Sequence, residues 1–185
     1  MDEALDKAIR VFRERGYKAT SIGDLTDAMA LASGSIYKAF RDKRTVFIAA
    51  FDRYAERGAE QLQRIADTPK SGRERLREVL AFYVENSHGL EGRRGCLVVG
   101  SAIELAIHDP EVAARVKASL ARNEAFFASL IREGQSDGSI SKRIDPEATA
   151  RALICLTQGM RVVGKAGRPP LDAASFIETA MKLAD

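Results

Sequence analysis

The sequence is poor in the residues that build metal centres and disulfide frameworks. Its 185 residues include only two cysteines and two histidines. Cys96 and Cys155 lie far apart among apolar residues, without the spacing of a zinc site or a redox pair. His88 and His108 belong to no motif that contains a second soft ligand. We therefore expect reduced core thiols, no metal site and no cofactor.

The sequence also lacks a strong net charge and a long apolar run. The formal net charge is +3, which is too small to indicate nucleic-acid binding by itself, so any basic patch must be local. No apolar run reaches the roughly 18 residues of a membrane-spanning helix. No charged and apolar signal sequence opens the chain. These absences predict a cytoplasmic protein without a membrane partner.

Tryptophan is absent and proline is scarce, and the residues that remain follow helical periods. The composition, 45% hydrophobic and 30% charged, suits a soluble helical protein. A first amphipathic helix is marked by apolar residues at helical spacing, namely Leu5, Ala8, Ile9 and Phe12. Gly16 is a good stop residue for that helix. The predicted fold class is all-α.

Residues 20–47 predict two short helices separated by a tight turn. The first helix carries an apolar stripe at Ile22, Leu25 and Met29, and a hydroxyl before it can cap the first free N–H groups. The second helix has its apolar face at Ile36 and Phe40, four residues apart. Polar side chains lie on the other face. This is the layout of a helix-turn-helix, whose second helix enters the major groove of DNA.

This segment resembles the DNA-binding unit of the TetR/AcrR family of bacterial transcriptional regulators. The matching residues are Leu25-Thr26 in the first helix, Gly34-Ser35-Ile36-Tyr37 at the start of the recognition helix, Phe40 at its close and Lys43 after it. Ala30 replaces the glycine of the family turn, and Ala32 replaces the usual serine cap. A left-handed backbone costs an L-residue roughly 1–2 kcal/mol, so we expect a strained or reshaped turn at Ala30, with Ser33 as a shifted cap.

The resemblance implies two sets of DNA contacts. The residues expected at phosphates are Thr20, Ser21, Tyr37 and Lys43. The residues expected at base edges are Ser33, Gly34, Ser35 and Lys38. Phosphate contacts hold the protein in register, whereas base contacts read sequence.

The chain is predicted to contain an N-terminal three-helix domain and a larger helical domain joined by a long helix. The predicted helix-turn-helix domain covers residues 1–46, and the effector-binding and dimerisation domain covers residues 47–185. Apolar residues from Phe47 to Ile65 keep one face and predict the long helix. Residues 89–95 are predicted to form a basic loop, and Asp145-Pro146 is predicted to open a later helix.

The last two predicted helices are rich in small residues that let helices approach closely. The resemblance implies a four-helix dimer interface of this kind, so a homodimer is expected. The predicted interface residues are Ala152, Leu153, Leu156, Gly159, Met160, Val163, Ile177, Ala180 and Met181. The alternative is that this face covers the chain's own core.

The resemblance also implies a small-molecule cavity in the second domain. The predicted pocket residues are Phe82, Tyr83, Asn86, Cys96, Val99, Ile103, Phe126, Phe127, Gln158 and Arg161. Ordinary core packing explains each of them equally well, and Phe127 in particular. Glu104 interrupts an apolar run, either as a pocket charge or as the partner of an arginine.

The function predicted from these observations is that of a dimeric repressor, which an unknown small-molecule effector releases from a palindromic double-stranded operator. Two other interpretations stay open. Cys96 follows Arg93-Arg94-Gly95 at a predicted helix start, where a lowered thiol pKa favours redox or electrophile sensing. The other interpretation is a helical protein-interaction module that has lost DNA binding, because Ala30 and Ala32 depart from the family pattern. A helical enzyme is not expected, because no convergent acid–base or nucleophilic set is visible.

Overall fold

The structure, a computed structural model, describes residues 2–167 and 172–185, apart from the side chain of Ser33, and this part of the chain contains α-helices and no β-strand. The helices are α1 Asp2–Arg15, α2 Ile22–Met29, α3 Ser33–Ala39, α4 Lys43–Ala66, α5 Gly72–Glu85, α6 Gly89–Arg94, α7 Leu97–Glu104, α8 Pro110–Asp137, α9 Pro146–Lys165 and α10 Ala173–Met181. A 3-10 turn, Lys182–Ala184, follows α10. No helix in the described ranges is long and apolar enough to cross a membrane.

Local capping signals explain where several helices begin and end. Ser71 accepts a hydrogen bond from the Glu74 backbone N–H and opens α5. Asp145 caps α9, and a proline follows it in the first turn, as the sequence predicts. Gly16 and Gly138 adopt positive φ angles of 81° and 82° directly after α1 and α8. The predicted all-α fold is confirmed, but the predicted loop over residues 89–95 is wrong, because α6 occupies most of it.

The chain divides into two compact units that are not the two predicted ranges. The first unit comprises Met1–Gly58 and Arg94–Lys117, and the second comprises Ala59–Arg93 and Ala118–Asp185. Helices α4 and α8 each contribute residues to both units. A boundary on the fourth helix was expected, but the inclusion of α7 in the first unit could not be read from helix order.

The first unit combines a small aromatic core with ion pairs between distant segments. The rings of Phe12 and Phe47 meet edge to face, with centroids 5.2 Å apart. Tyr17 packs against Phe47 at 5.1 Å. On the surface, both Arg53 and Arg57 donate to the Asp6 carboxylate, and these bonds lower the pKa of Asp6.

The second unit is built around one apolar cluster. Its buried members come from the end of α4, from α5, from the later part of α8 and the loop after it, from α9 and α10 and from the 3-10 turn, namely Leu62, Leu76, Val79, Leu80, Tyr83, Phe127, Ala128, Leu130, Ile131, Ile140, Ala150, Leu153, Ile154, Ala180, Met181 and Ala184. Helices approach closely where a glycine leaves no side chain between their backbones. A Cβ atom on Gly72 would lie 2.2 Å from the backbone N of Gly134.

Candidate nucleic-acid interface

Helix α2 is fixed at its start by a reciprocal cap. The Ser21 hydroxyl accepts from the Asp24 N–H at 3.1 Å, and the Asp24 carboxylate accepts from the Ser21 N–H at 2.8 Å. The Ser21 N–H and the Ser21 hydroxyl both donate to the Asp24 carboxylate, and these two bonds, with that of the N–H the stronger cause, lower the pKa of Asp24. Leu25 and Met29 are buried as predicted. The cap occupies the Ser21 hydroxyl but leaves the residue on the surface.

Helix α3 presents one buried face and one exposed face. Ile36 is fully buried, and Phe40, which ends the helix, is half-buried. The residues on the other face are exposed, namely Gly34, Ser35, Tyr37 and Lys38. The Tyr37 side chain is 53% exposed. The side chain of Ser33, the remaining predicted base-contact residue, lies outside the description.

The turn between α2 and α3 carries the strain that the sequence predicts. Ala30 has φ 54° and ψ 41°, which is the left-handed conformation, and it is the one non-glycine residue with a positive φ in the described part of the chain. Ala32 occupies the N-cap position of α3 and provides no side-chain hydrogen bond. The prediction of Ser33 as a shifted cap is wrong, because Ser33 is already the first residue of the helix.

Two of the predicted phosphate contacts have other roles in the structure. Thr20 is 1% exposed, and its hydroxyl donates to the Gly16 carbonyl at 2.6 Å. The Lys43 ammonium donates to the carbonyls of Tyr17 and Thr20 at 3.0 and 2.7 Å. Burial removes the Thr20 side chain from the surface, and the internal bonds occupy Lys43. The expectation that Thr20 is available to a phosphate is corrected accordingly, whereas the phosphate contact of Lys43, whose ammonium has a third N–H, stays a prediction.

Arg41 is a surface cation that the sequence analysis missed. Its side chain is 88% exposed between α3 and α4, with Asp42 as a loose partner at 3.6 Å. Asp42 itself accepts from the Thr45 N–H at 2.8 Å, and this bond lowers its pKa. The family pattern offered a lysine at this junction and drew attention to Lys43. The exposed cation beside the recognition helix is Arg41 instead.

The predicted effector-pocket residues are divided between the two units. Cys96, Val99 and Ile103 belong to the first unit. The others belong to the second unit, namely Phe82, Tyr83, Asn86, Phe126, Phe127, Gln158 and Arg161. Tyr83 and Phe127 stack at 6.0 Å inside the apolar cluster of the second unit, so the core interpretation holds for both.

Arg161 is unusual among these residues because it is charged and yet buried. One of its terminal nitrogens donates to the Asn86 carbonyl at 2.6 Å, and its guanidinium lies 5.4 Å from the centre of the Tyr83 ring. Asn86 ends α5, so the cation lies at the negative end of that helix. The contacts with α5 give Arg161 a role in holding α9 to α5.

Glu104 has a role that neither of the two predictions described. Its carboxylate accepts from the backbone N–H groups of Tyr17 and Lys18 at 2.9 and 2.6 Å. Cys96 lies at the N-cap position of α7 without a side-chain cap bond, and the nearby Arg94 donates to Glu14 at 3.2 Å. The sensing role of Cys96 stays a prediction. Cys155 is exposed on α9, so the expectation of a core thiol is wrong for that residue. No group of three or more His, Cys, Asp or Glu within the described ranges is arranged to hold a metal ion.

The predicted dimer face divides into a buried part and an exposed part. Leu153, Ala180 and Met181 are buried in the chain's own core and cannot offer a surface to a second copy. Leu156, Met160 and Ile177 are partly buried against that core. The prediction is corrected for the three buried residues. Ala152, Gly159 and Val163 are exposed on α9.

Two family models match the chain and together cover most of it. The model described as "Bacterial regulatory proteins, tetR family" matches residues 4–50. The model described as "Tetracyclin repressor-like, C-terminal domain" matches residues 72–179. The chain belongs to the TetR family. The resemblance seen in the helix-turn-helix is therefore confirmed and extended to the second unit, and this TetR-family protein is a regulatory protein rather than an enzyme.

Curated relatives are similar to the TetR-family chain over most of their length. The HTH-type transcriptional repressor ComR of Escherichia coli (strain K12) is 28% identical over 167 residues, 90% of this chain and 80% of ComR. The HTH-type transcriptional regulator YezE of Bacillus subtilis (strain 168) is 32% identical over 151 residues, 80% of this chain and 77% of YezE.

A solved structure similar to this chain includes DNA. A cysteine-substituted form of the TetR-family regulator CifR, complexed with a 26-base-pair operator, is 29% identical. The similarity covers 98% of this chain and 95% of that one, with a TM-score of 0.86. The similarity therefore includes both the helix-turn-helix and the helical remainder.

Proposed function

We propose that the chain is a homodimeric transcriptional repressor that reads a palindromic DNA operator with α3 and leaves it when a small-molecule effector binds. The observation that carries the proposal is the exposed face of α3. It presents Gly34, Ser35, Tyr37 and Lys38 opposite the buried Ile36. This face lies within the segment that matches the family model.

The chemistry of that face suits the major groove. A lysine donates to guanine O6 or N7, a serine hydroxyl serves several bases, and a glycine permits a close approach to the DNA backbone. The exposed Tyr37 hydroxyl and the Arg41 guanidinium supply donors for phosphates, which hold the helix in register. Ser21 adds a further polar group at the start of α2.

The operator experiment comes first because the DNA-reading role of α3 depends on it. DNA fragments from the source genome are selected with the purified chain, and the best fragment is titrated at several salt concentrations. An enriched palindrome whose binding weakens with salt is expected. Binding no tighter than that of random DNA contradicts the proposal and favours the protein-interaction module.

Matched lysine variants then assign the reading face. We expect Lys38→Ala to weaken operator binding by about 1–3 kcal/mol and to relax the preference at one base position, because a base contact is lost. Lys142→Ala, an exposed lysine of the second unit, is the control for loss of one positive charge. Equal effects from the two variants contradict base reading by Lys38.

We propose that the exposed side of α9 forms the dimer interface. Its small and apolar residues recur at helical spacing and face solvent in the single chain, namely Ala148, Ala152, Cys155, Gly159, Val162, Val163 and Ala166. A second copy of the chain can cover the same face by a two-fold axis. Two reading heads about 34–36 Å apart then match successive major-groove faces.

Molar mass in solution tests the interface. Val163 is 44% exposed, so Val163→Glu leaves the subunit core intact, and we expect it to convert the dimer to a monomer. Ile107→Glu, at a side chain that is 79% exposed in the first unit, controls for a new surface charge. A dimer that persists in Val163→Glu contradicts this interface. Maleimide labelling of the exposed Cys155 provides a second readout, since dimerisation is expected to protect it.

The effector is proposed to be a small molecule that binds within the second unit, with Phe82, Asn86, Phe126 and Gln158 of the predicted pocket residues as its contacts. Binding must favour a conformation with lower operator affinity, because a ligand shifts an equilibrium only by its differential affinity for the two states. The genes next to the enriched operator then suggest compounds to test. A compound that binds the chain but leaves operator affinity unchanged is not the effector.

A further inference from the structure

We propose that Glu104, at the end of α7, is a positioning residue for DNA recognition. It fixes the turn between α1 and α2, so that operator affinity depends on a carboxylate outside the helix-turn-helix. The inference rests on the proposed function, since it assumes that the chain reads an operator.

The geometry at the turn is specific. The two oxygens of the Glu104 carboxylate accept from different backbone groups, the N–H of Tyr17 at 2.9 Å and the N–H of Lys18 at 2.6 Å. Both donors follow the end of α1, in a segment where no helix supplies an acceptor for them. Hydrogen bonds to an ionised carboxylate are about twice as strong as those between neutral groups. The turn is thus tied to a residue 86 or 87 positions away in sequence.

Gly16 makes this close approach possible. Its φ of +81° favours glycine, and a Cβ atom there would lie 2.8 Å from a Glu104 oxygen. The carboxylate therefore occupies the space that a side chain at position 16 would need. Gly16 after α1 and Glu104 at the end of α7 thus depend on each other for this contact.

Lys43 holds the same turn through its carbonyl groups. Its ammonium donates to the carbonyls of Tyr17 and Thr20 and lies 4.2 Å from the centre of the Tyr17 ring. The N–H groups at one end of the turn are thus held by an anion from α7, and its carbonyl groups by a cation from α4. The backbone of residues 17–20 is fixed on both sides.

The turn sets where the recognition helix lies. Ser21 follows it directly and caps α2, and α2 packs against both α1 and α3. A turn that loosens lets α2 and α3 shift together relative to α1. Base contacts tolerate small displacements poorly, whereas contacts with the DNA backbone are less specific. Loss of Glu104 must therefore affect operator binding more than binding to random DNA.

A second carboxylate, close to Glu104 in sequence, also joins distant segments of the first unit. Asp109, which precedes α8, accepts two bonds from the Arg44 guanidinium at 2.8 and 2.9 Å. Arg44 lies at the start of α4, next to Lys43. The end of α7 and the segment that follows it thus hold both the α1–α2 turn and the beginning of α4, and all of these residues belong to the first unit.

The test compares Glu104→Gln and Glu104→Ala with Glu56→Gln, an exposed acid on α4 that takes part in none of these contacts. Removing a negative charge alone strengthens DNA binding, because DNA repels acids. A positioning role for Glu104 predicts the opposite result, which is weaker operator binding. We expect operator binding to weaken roughly tenfold in Glu104→Ala and less in Glu104→Gln, which keeps one accepting oxygen.

Three further readouts separate positioning from general damage. The affinity for a scrambled duplex is expected to match that of Glu56→Gln, which loses the same charge, and the slope of affinity against salt is expected to match that of the unaltered chain. Glu56→Gln is expected to bind the operator at least as tightly as that chain. Operator binding by Glu104→Gln that equals or exceeds that of Glu56→Gln overturns the proposal. If Glu104→Ala does not fold, Glu104→Gln carries the comparison.

Amide hydrogen exchange in the free protein separates this proposal from the proposed function. Exchange at Tyr17 and Lys18 is expected to be faster in Glu104→Gln but unchanged in Glu56→Gln. Unchanged exchange in Glu104→Gln overturns the role of Glu104 in fixing the turn. If the unaltered chain selects no operator while exchange responds as expected, the proposed function fails and the structural role of Glu104 stands.

Discussion

Both units of this protein combine an apolar core with ion pairs between distant segments, and they differ in how the backbone is held. In the second unit, a continuous apolar cluster joins α5, α8, α9 and α10, and glycines allow backbones to touch. In the first unit, charged side chains bridge segments that are distant in sequence, as in Arg44 with Asp109 and Glu104 with the α1–α2 turn. The first unit also contains Ala30 in its left-handed conformation.

The two units therefore differ in how closely the backbone packs and in where strained backbone is found. Close packing makes a core sensitive to the addition of a single methyl group, whereas exposed polar contacts are weaker and respond to pH and salt. The strained turn and the uncapped start of α3 lie beside the exposed recognition face. Sequence features that lower stability are thus found at the proposed DNA-reading surface.

The largest expected effect comes from a methyl group added to the second unit. A Cβ atom on Gly164 would lie 1.9 Å from the Ser87 carbonyl oxygen, so Gly164→Ala forces two backbones apart. We expect it to lower the free energy of unfolding by about 3 kcal/mol or more. Denaturant unfolding measures this change.

Gly58→Ala is the matched control, because nothing lies within 4 Å of its added Cβ atom in the interior of α4. This variant should gain about 0.5–1 kcal/mol from the higher helix propensity of alanine. A Gly164→Ala protein as stable as the Gly58→Ala protein would show that the contact between α9 and Ser87 is looser than described.

The next effect is a gain of stability in the first unit. Ala30→Gly removes the side chain from a left-handed residue, and we expect the free energy of unfolding to rise by about 1 kcal/mol. Ala28→Gly, inside α2, is the control and should lose a similar amount. A loss of stability in both variants contradicts the strain at Ala30.

A smaller gain is expected at the start of α3. Ala32 has an extended backbone at the N-cap position and offers no side-chain acceptor, so Ala32→Ser should add about 0.5–1 kcal/mol. Ala39→Ser, at the last residue of the same helix, changes the same atoms without a capping role. Thermal unfolding of the two variants is compared, and equal midpoints would exclude a capping contribution.

The smallest effect is a pH dependence at Asp109. The hydrogen bonds from Arg44 lower the pKa of Asp109 from 3.8 to about 2. Because the folded state lowers this pKa, the ion pair stabilises the protein above pH 3.8, and its contribution disappears as the pH falls toward about 2. Solvent screens the pair, since Arg44 is partly exposed.

Asp109→Asn tests this dependence while it keeps an oxygen for the N–H groups of Glu111 and Val112. The thermal midpoint of the variant should lie below that of the unaltered chain near neutral pH, and the two should converge at the acid end. A difference that stays constant across this pH range would assign the effect to something other than the charge of Asp109.

Local sequence signals were enough to predict most of the fold. The apolar period of α1, the stop at Gly16, the length of α4 and the Asp145-Pro146 start of α9 all follow from short stretches of sequence. The short helix α6 was missed because residues 89–95 are rich in glycine and arginine, which is typical of a loop. Its packing depends on Gly92 against Ser87, which no local pattern reveals.

The exposed face of α3 was predictable for the same reason. Ile36 is the buried residue of this short helix, so the residues around it, Gly34, Ser35, Tyr37 and Lys38, are left to face solvent. The roles of Thr20, Lys43 and Glu104 were not predictable, because each side chain bonds to a backbone group in a turn or to another segment. Sequence reasoning treats a polar residue as available until the structure shows what it contacts.

The sequence by itself determined the all-α fold, the helix-turn-helix, the strained Ala30 and the family, because these depend on residues within a few positions of one another. The tertiary structure alone decided that α7 belongs to the first unit, that Lys43 and Glu104 hold one turn from two sides, and that three of the nine residues predicted at the dimer face belong to the core. The physical reason is that backbone donors and acceptors at helix ends must be satisfied, and distant segments supply the partners.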